Sequence, residues 1–129
     1  MTVLAVVPAR GGSKRLFRKN VQPLAGKPLV AWTIEAARAA RSIVRVVVST
    51  EDDEIAKCAV AHGAEVPIMR PAELAADETP GIEPILHMVR WLETQEGYCP
   101  DVVMILQPTS PLRTSDDIEA SLALMRAKE

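Results

Sequence analysis

Short apolar runs alternate with amphipathic segments along the chain. Residues 3–7 form a continuous aliphatic run that ends at Pro8, which predicts a parallel strand buried on both faces. A helix is predicted from Pro28 to about residue 41, because its apolar positions recur at helical spacing and proline suits a first helical position. A second aliphatic run at 45–49 predicts the next strand. The chain therefore begins as strand, helix, strand.

The second half continues this alternation less regularly. A helix is expected from Thr50, as its cap, to Gly63, and the acidic run at 51–54 complements the dipole of its first turn; we prefer this interpretation to a metal site. The remaining predicted segments are a short strand at 65–69, a loop at 70–81, a helix at about 82–96, a strand at 101–106, a polar loop at 107–113 and a last helix capped by Thr114 or Ser115.

Strands that alternate with helices predict an α/β protein. We expect a Rossmann-like three-layer fold, with a mainly parallel sheet of about four strands and helices on both faces. The 129 residues, of which 48% are hydrophobic, are expected to form a single domain spanning 1–129. In such folds ligands bind beyond the carboxyl ends of the strands, so the loops after the first, third and fourth strands are expected to meet at one rim.

Composition narrows the class of partner. A net charge of −2 and a pI near 5.7 argue against a nucleic-acid or membrane-surface binder. Cys58 and Cys99 lie far apart and form no zinc or redox pair. The apolar run at 3–7 is too short to span a bilayer and is followed by positive charge, so it is neither a membrane span nor a signal peptide. We expect a cytoplasmic protein with a small-molecule partner.

Positive charge concentrates in residues 8–27, directly after the first strand. This loop contains Gly11-Gly12, and no acidic residue precedes Glu35. Backbone N–H groups and cationic side chains together bind phosphate oxygens, so the loop predicts a polyphosphate site, although it matches neither the P-loop nor the dinucleotide fingerprint. Arg10 offers a forked donor and Lys19 a compact charge for nucleotidyl transfer. The basic residues are Arg10, Lys14, Arg15, Arg18, Lys19 and Lys27.

Four sequence blocks occur in order along the chain. They are Pro-Ala-Arg-Gly-Gly-Ser-Lys at 8–14, continued by Lys-Asn at 19–20 and Leu-Ala-Gly-Lys-Pro-Leu at 24–29; Ser-Thr-Glu-Asp-Asp-Glu-Ile-Ala at 49–56; Arg-Pro-Ala-Glu-Leu-Ala-Ala-Asp at 70–77; and Leu-Gln-Pro-Thr-Ser-Pro-Leu-Arg at 106–113. Together they resemble the N-terminal part of the acylneuraminate cytidylyltransferases, the CMP-sialic acid synthetases.

The resemblance implies a nucleotidyltransferase that moves CMP from CTP to a sialic-acid-like nonulosonic acid, with release of pyrophosphate. An alternative within the same class is a cytidylyltransferase for legionaminic, pseudaminic or Kdo sugar acids. The Kdo enzymes carry an aspartate after the glutamine that matches Gln107, whereas residues 108–111 here run Pro-Thr-Ser-Pro, which favours the nonulosonic branch. A different alternative is a non-catalytic CTP-binding remnant.

The resemblance also implies roles for individual residues. Arg10 and Lys19 are the expected catalytic residues and hold the triphosphate, while Gln107 and Ser110 face the sugar acid. Two assignments have a structural alternative, in which Arg70 is a plain surface arginine and Asp77 and Thr79 only shape their loop. The expected nucleotide-binding residues are Arg10, Gly11, Gly12, Ser13, Lys19, Asn20, Arg70, Asp77 and Thr79.

This chain departs from the family pattern in two ways. Phe17 stands where relatives carry a proline, so the exit of the basic loop is expected to differ. The Asp-x-Asp pair with which the family binds magnesium does not occur in the sequence. No metal ligand is therefore assigned to this chain, and Mg²⁺ is an expected cofactor whose ligands lie outside it. Half of such a fold exposes apolar surface, so self-association, as a homodimer or as an aggregate, is expected.

Overall fold

Strands and helices alternate along the folded chain. The computed structural model describes residues 2–11, 23–24, 27–74, 81–108 and 114–127. In chain order the elements are β1 (Val3–Pro8), β2 (Pro23–Leu24), β3 (Lys27–Pro28), α1 (Leu29–Ala39), β4 (Ile43–Ser49), α2 (Asp53–Ala61), a 3₁₀ turn (Ala72–Leu74), α3 (Ile82–Glu96), β5 (Val102–Ile105) and α4 (Ser115–Ala127). This alternation confirms the predicted α/β class.

β1 is the central strand of the described sheet. It lies between β4 and β5 and pairs with both in parallel. Successive side chains of a strand point to opposite faces, and here Val3, Ala5 and Val7 pack with α1, α2 and α4 whereas Leu4 and Val6 pack with α3. Both faces of β1 are thus covered, which is why its apolar run is continuous rather than alternating.

The predicted strand at 65–69 is reduced to one residue. Glu65 forms a single parallel bridge with Val47, in which the Glu65 N–H donates to Val46 O at 3.0 Å and the Val48 N–H donates to Glu65 O at 2.8 Å. The next amide of this segment that faces β4 belongs to Pro67, which has no N–H to donate. The strand prediction is therefore wrong beyond Glu65.

The helix boundaries agree with the sequence pattern at most ends. α3 spans the predicted residues, and Gly63, at φ 96°, ends α2 as expected. Thr114 rather than Ser115 caps α4, because Thr114 Oγ1 accepts from the Asp117 N–H and Asp117 Oδ2 accepts from the Thr114 N–H. None of the described helices has the length and apolarity needed to cross a bilayer.

The start of α2 differs from the prediction. Asp52, not Thr50, is the N-cap: its Oδ1 accepts from the N–H groups of Glu54 at 2.9 Å and Ile55 at 3.1 Å. Thr50 Oγ1 instead accepts from the Asp52 N–H at 3.1 Å. Glu51 consequently lies outside the helix, and its carboxylate contacts a different part of the molecule.

Candidate functional site

The carboxyl ends of the strands meet at one edge of the sheet. From β1 the chain passes to β4 on one side, whereas β5 lies on the other side of β1, so the strand order reverses around β1. This arrangement places the segment that contains Arg10 and Gly11, directly after β1, beside the end of β4, where the Ala9 N–H donates to Ser49 O at 2.9 Å. Such a reversal is where open α/β sheets bind ligands.

Arg70 is buried beside the end of β4. The residue is only 6% exposed, and its backbone N–H donates to Thr50 O at 2.7 Å. Its guanidinium donates from Nε to Ser49 Oγ at 3.0 Å, from Nη2 to Ser49 O at 2.8 Å and from Nη1 to Leu74 O at 3.4 Å. Arg70 is therefore not a plain surface arginine; it ties the segment at 70–74 to β4.

Glu51 and Arg10 both influence the pKa of Arg70. Burial lowers the pKa of Arg70 below its ordinary value, the negative charge of Glu51 opposes this, and the positive charge of Arg10 adds to it. Arg70 thus lies within electrostatic reach of both Arg10 and Glu51. The structure brings these charges together from segments that are far apart in sequence.

Gly11 lies in close contact with the residues that precede α2. Its N–H donates to Glu51 Oε1 at 2.7 Å and Oε2 at 3.1 Å, and the residue is buried. A Cβ at this position would lie 2.7 Å from the Cβ of Asp52, so the close approach itself requires glycine. This role of Glu51 was not predicted from the sequence, because all four acids were assigned to the helix. Asp52, a second residue able to cap the helix, was the available signal.

Lys27, the last basic residue of the loop, is engaged at the start of α1. Its Nζ lies 2.5 Å from Glu35 Oε1 and 4.5 Å from the centre of the Trp32 ring. Glu35 Oε2 also lies 3.1 Å from His62 Nδ1. The hydrogen bond from Lys27 is the main cause that lowers the pKa of Glu35, with His62 contributing less. Lys27 therefore stabilises the junction of the loop with α1.

Glu35→Gln is expected to destabilise the protein at neutral pH by up to about 1 kcal/mol, a small value because solvent screens a pair that is more than a third exposed. Because the folded pKa of Glu35 lies below 4.5, its contribution is fully present above that pH and is lost as the pH falls through the folded value. Thermal unfolding at pH 7 and at pH 3 tests this, with the exposed Glu93→Gln as control. A stability difference that persists unchanged at pH 3 contradicts the assignment.

The other predicted site residues fall into two groups. Gln107 is exposed at the carboxyl end of β5, the edge that also contains Arg10 and Gly11, and its role toward a sugar acid stays a prediction. The remaining ones lie outside the described residues: Gly12, Ser13, Lys19, Asn20, Asp77, Thr79 and Ser110. Within the described ranges, no group of three or more His, Cys, Asp or Glu side chains is placed to hold a metal ion.

Comparison with known proteins identifies the family. Residues 4–128 match the family described as cytidylyltransferase. The chain is 42% identical over 124 residues to the CMP-N,N'-diacetyllegionaminic acid synthase of Legionella pneumophila, covering 96% of this chain and 53% of the relative. It is 37% identical over 127 residues to the N-acylneuraminate cytidylyltransferase of Escherichia coli O18:K1:H7, covering 98% of this chain and 29% of the relative.

Comparison with solved structures supports the same family. The structure of a CMP:2-keto-3-deoxy-manno-octonic acid synthetase complexed with CTP superposes with a TM-score of 0.81 at 26% identity, over 98% of this chain and 48% of that one. The chain thus spans about half the length of the solved structure and of the Legionella relative. The match over almost the entire chain nevertheless confirms the resemblance seen in the four sequence blocks, and this chain belongs to the cytidylyltransferase family.

Proposed function

We propose that the chain is the nucleotide-binding part of an enzyme that transfers CMP from CTP to a sialic-acid-like nonulosonic acid. The observation that carries this proposal is the convergence of Arg10, Gly11 and Arg70 at the carboxyl edge of the sheet, in a chain of the cytidylyltransferase family. Arg70 lies within electrostatic reach of Arg10, and positive charge at the carboxyl edge of a parallel sheet favours the binding of a polyanion.

The proposed reaction forms one bond and breaks one bond at phosphorus. The anomeric hydroxyl oxygen of the sugar acid attacks the α-phosphorus of CTP, the hydroxyl loses its proton, and the bond from the α-phosphorus to the bridging oxygen breaks to release pyrophosphate. Arg10 and Lys19 neutralise the triphosphate and the charge that develops on it. Asn20, Arg70, Asp77 and Thr79 surround the nucleotide in this proposal, and Gln107 and Ser110 face the sugar acid.

Magnesium is the expected cofactor, since it neutralises triphosphate charge in such transfers. The described residues do not provide a fitting set of ligands for it. No step is therefore assigned to magnesium in this chain, and its ligands are proposed to lie outside the chain. The homodimer and the cytoplasmic location likewise stay predictions, and the elution volume in size-exclusion chromatography tests the first.

The acceptor is proposed to be a nonulosonic acid rather than Kdo. Relatives named for legionaminic, acylneuraminic and pseudaminic acids match at 42%, 37% and 36% identity, whereas a relative named for 3-deoxy-manno-octulosonate matches at 34%. The sequence Pro-Thr-Ser-Pro at 108–111 supports the same choice, because by the resemblance the Kdo enzymes carry an aspartate in this segment, after the glutamine that matches Gln107. A non-catalytic CTP-binding remnant is the second candidate.

Pyrophosphate release tests the proposed activity. The chain is incubated with CTP, magnesium and N-acetylneuraminic acid, and CTP binding is measured separately by calorimetry, with UTP as the control for the base. Binding of CTP in preference to UTP is the expected result, and pyrophosphate release in addition to binding establishes the transferase. CTP binding without turnover with any of the nonulosonic acids supports the binding remnant, and the absence of CTP binding overturns both candidates.

Lys19→Ala is expected to weaken CTP binding by about tenfold or more and to change cytidine binding by less than about twofold, because Lys19 is assigned to the phosphates and a charge-assisted hydrogen bond contributes about 1.5–3 kcal/mol. Calorimetric titration with CTP and with cytidine compares the two ligands. Lys57→Ala, which removes an exposed lysine of α2, is the matched control. An equal loss of affinity for both ligands rules out the phosphate assignment.

A further inference from the structure

The geometry points to Glu51 as the positioning residue that fixes the start of the phosphate loop, a role that rests on the proposed nucleotide site. The side chain is not needed for the helix that follows, because Asp52 is the N-cap of α2. Instead its two carboxylate oxygens accept from the N–H of Gly11, 40 residues earlier in the chain. Gly11 is the residue from which the loop containing Gly12, Ser13 and Lys19 departs.

The contact continues the β1–β4 ladder by one step. Within the ladder Pro8 is the partner of Ser49, and just beyond it the Ala9 N–H donates to Ser49 O at 2.9 Å. Two residues later, beyond the end of β1, the amide of Gly11 also faces the segment that follows β4. Glu51 Oε1 meets it at 2.7 Å, so a side-chain carboxylate takes the place that a backbone carbonyl has in the sheet.

The backbone on both sides of Glu51 is itself held. Thr50 O accepts from the Arg70 N–H at 2.7 Å, and the Asp52 N–H donates to Thr50 Oγ1 at 3.1 Å while Asp52 Oδ1 caps α2. Glu51 therefore extends from a short segment whose position is set by α2 and by Arg70. A rigid base of this kind is what allows one carboxylate to define where the loop begins.

The charge of Glu51 also suits this place. Its carboxylate lies within electrostatic reach of the Arg70 guanidinium, and it opposes the effect of burial on the pKa of Arg70. Glu51 thus holds the Gly11 amide and partly offsets the effect of burial on the charge of Arg70.

Two substitutions and one control test the proposal. In Glu51→Ala the Gly11 amide is expected to exchange with solvent at least about tenfold faster, and CTP affinity to fall about tenfold, because a buried donor loses its acceptor. Glu51→Gln keeps one oxygen that accepts a hydrogen bond and is expected to stay within about threefold of the wild type in both measurements. Asp53→Ala removes an exposed acid of the same region and is expected to match the wild type.

The outcomes separate this proposal from the proposed function. A wild-type chain that binds no CTP overturns the function, whereas a chain that binds CTP equally well with and without the Glu51 carboxylate overturns the inference. Glu51→Gln that is as impaired as Glu51→Ala also overturns it, because the acceptor oxygen would not be the cause. Where Glu51→Ala fails to fold, hydrogen exchange of the wild-type chain decides: a Gly11 amide without protection contradicts the contact.

Discussion

Gly11→Ala is expected to lower the free energy of unfolding by about 2 kcal/mol, in the range of overpacking substitutions, and to weaken CTP binding by more than about tenfold. The new methyl group would lie 2.7 Å from the Cβ of Asp52 and closer still to its carboxylate. Asp52 cannot turn aside without cost, since its Oδ1 caps α2. Either the cap or the loop must move, and both movements displace the contact between Gly11 and Glu51. Urea unfolding and calorimetric titration with CTP measure the two effects.

Gly81→Ala is the matched control for this prediction. Gly81 has φ −59° and ψ −23°, an ordinary helical conformation, and a Cβ there meets nothing within 4 Å. The substitution is expected to be neutral or to stabilise the protein by about 0.4–1 kcal/mol through the unfolded state. Similar effects of Gly11→Ala and Gly81→Ala on stability and CTP affinity contradict the role given to Gly11.

Arg70→Ala is expected to destabilise the protein by roughly 3 kcal/mol, because hydrogen bonds from a charged group contribute about 1.5–3 kcal/mol each and a buried side chain is also lost. The guanidinium joins Ser49, at the end of β4, to Leu74 in the 3₁₀ turn. Ser49 O keeps its bond from the Ala9 N–H, so the loss falls mainly on Ser49 Oγ and on the position of the segment at 70–74. Chemical denaturation measures the change in the free energy of unfolding.

Arg70→Lys and Arg41→Ala complete the Arg70 experiment. Lysine keeps the charge but lacks the fork that reaches both Ser49 and Leu74, so its stability is expected to lie between those of the wild type and Arg70→Ala. Arg41 is exposed, and its removal is expected to change stability by less than about 0.5 kcal/mol. A change of that small size in Arg70→Ala disproves the structural role, and unchanged CTP affinity in folded Arg70→Lys argues against a specific contact with the nucleotide.

The elements that the sequence predicted well are those whose pattern reflects burial. β1 is a continuous apolar run because helices cover both of its faces, and α3 has helical periodicity and ends at Gly97 in the left-handed conformation, φ 65°. The strand predicted at 65–69 does not form beyond Glu65, because apolar composition does not indicate which backbone amides have hydrogen-bond partners. Pro67 interrupts the ladder after Glu65.

The sequence predicted the family of the protein better than the contacts of the candidate site. Glycines and basic residues after a buried strand indicated a phosphate site, and four ordered blocks indicated the cytidylyltransferase family, which the comparisons confirm. The same blocks did not distinguish a buried Arg70 from a surface arginine. Nor did they separate Glu51 from the acids of α2, because its partner, Gly11, lies 40 residues away in sequence.

The segment at 8–27 separates what local sequence determined from what only the tertiary structure decided. Local sequence determined its composition and its position after a buried strand, and these two features are the basis for predicting an anion site there. The tertiary structure decided which of its donors are already used: Gly11 by Glu51 and Lys27 by Glu35. Such pairings form only when separate strands and helices pack, because a hydrogen bond depends on distance and direction in space rather than on separation along the chain.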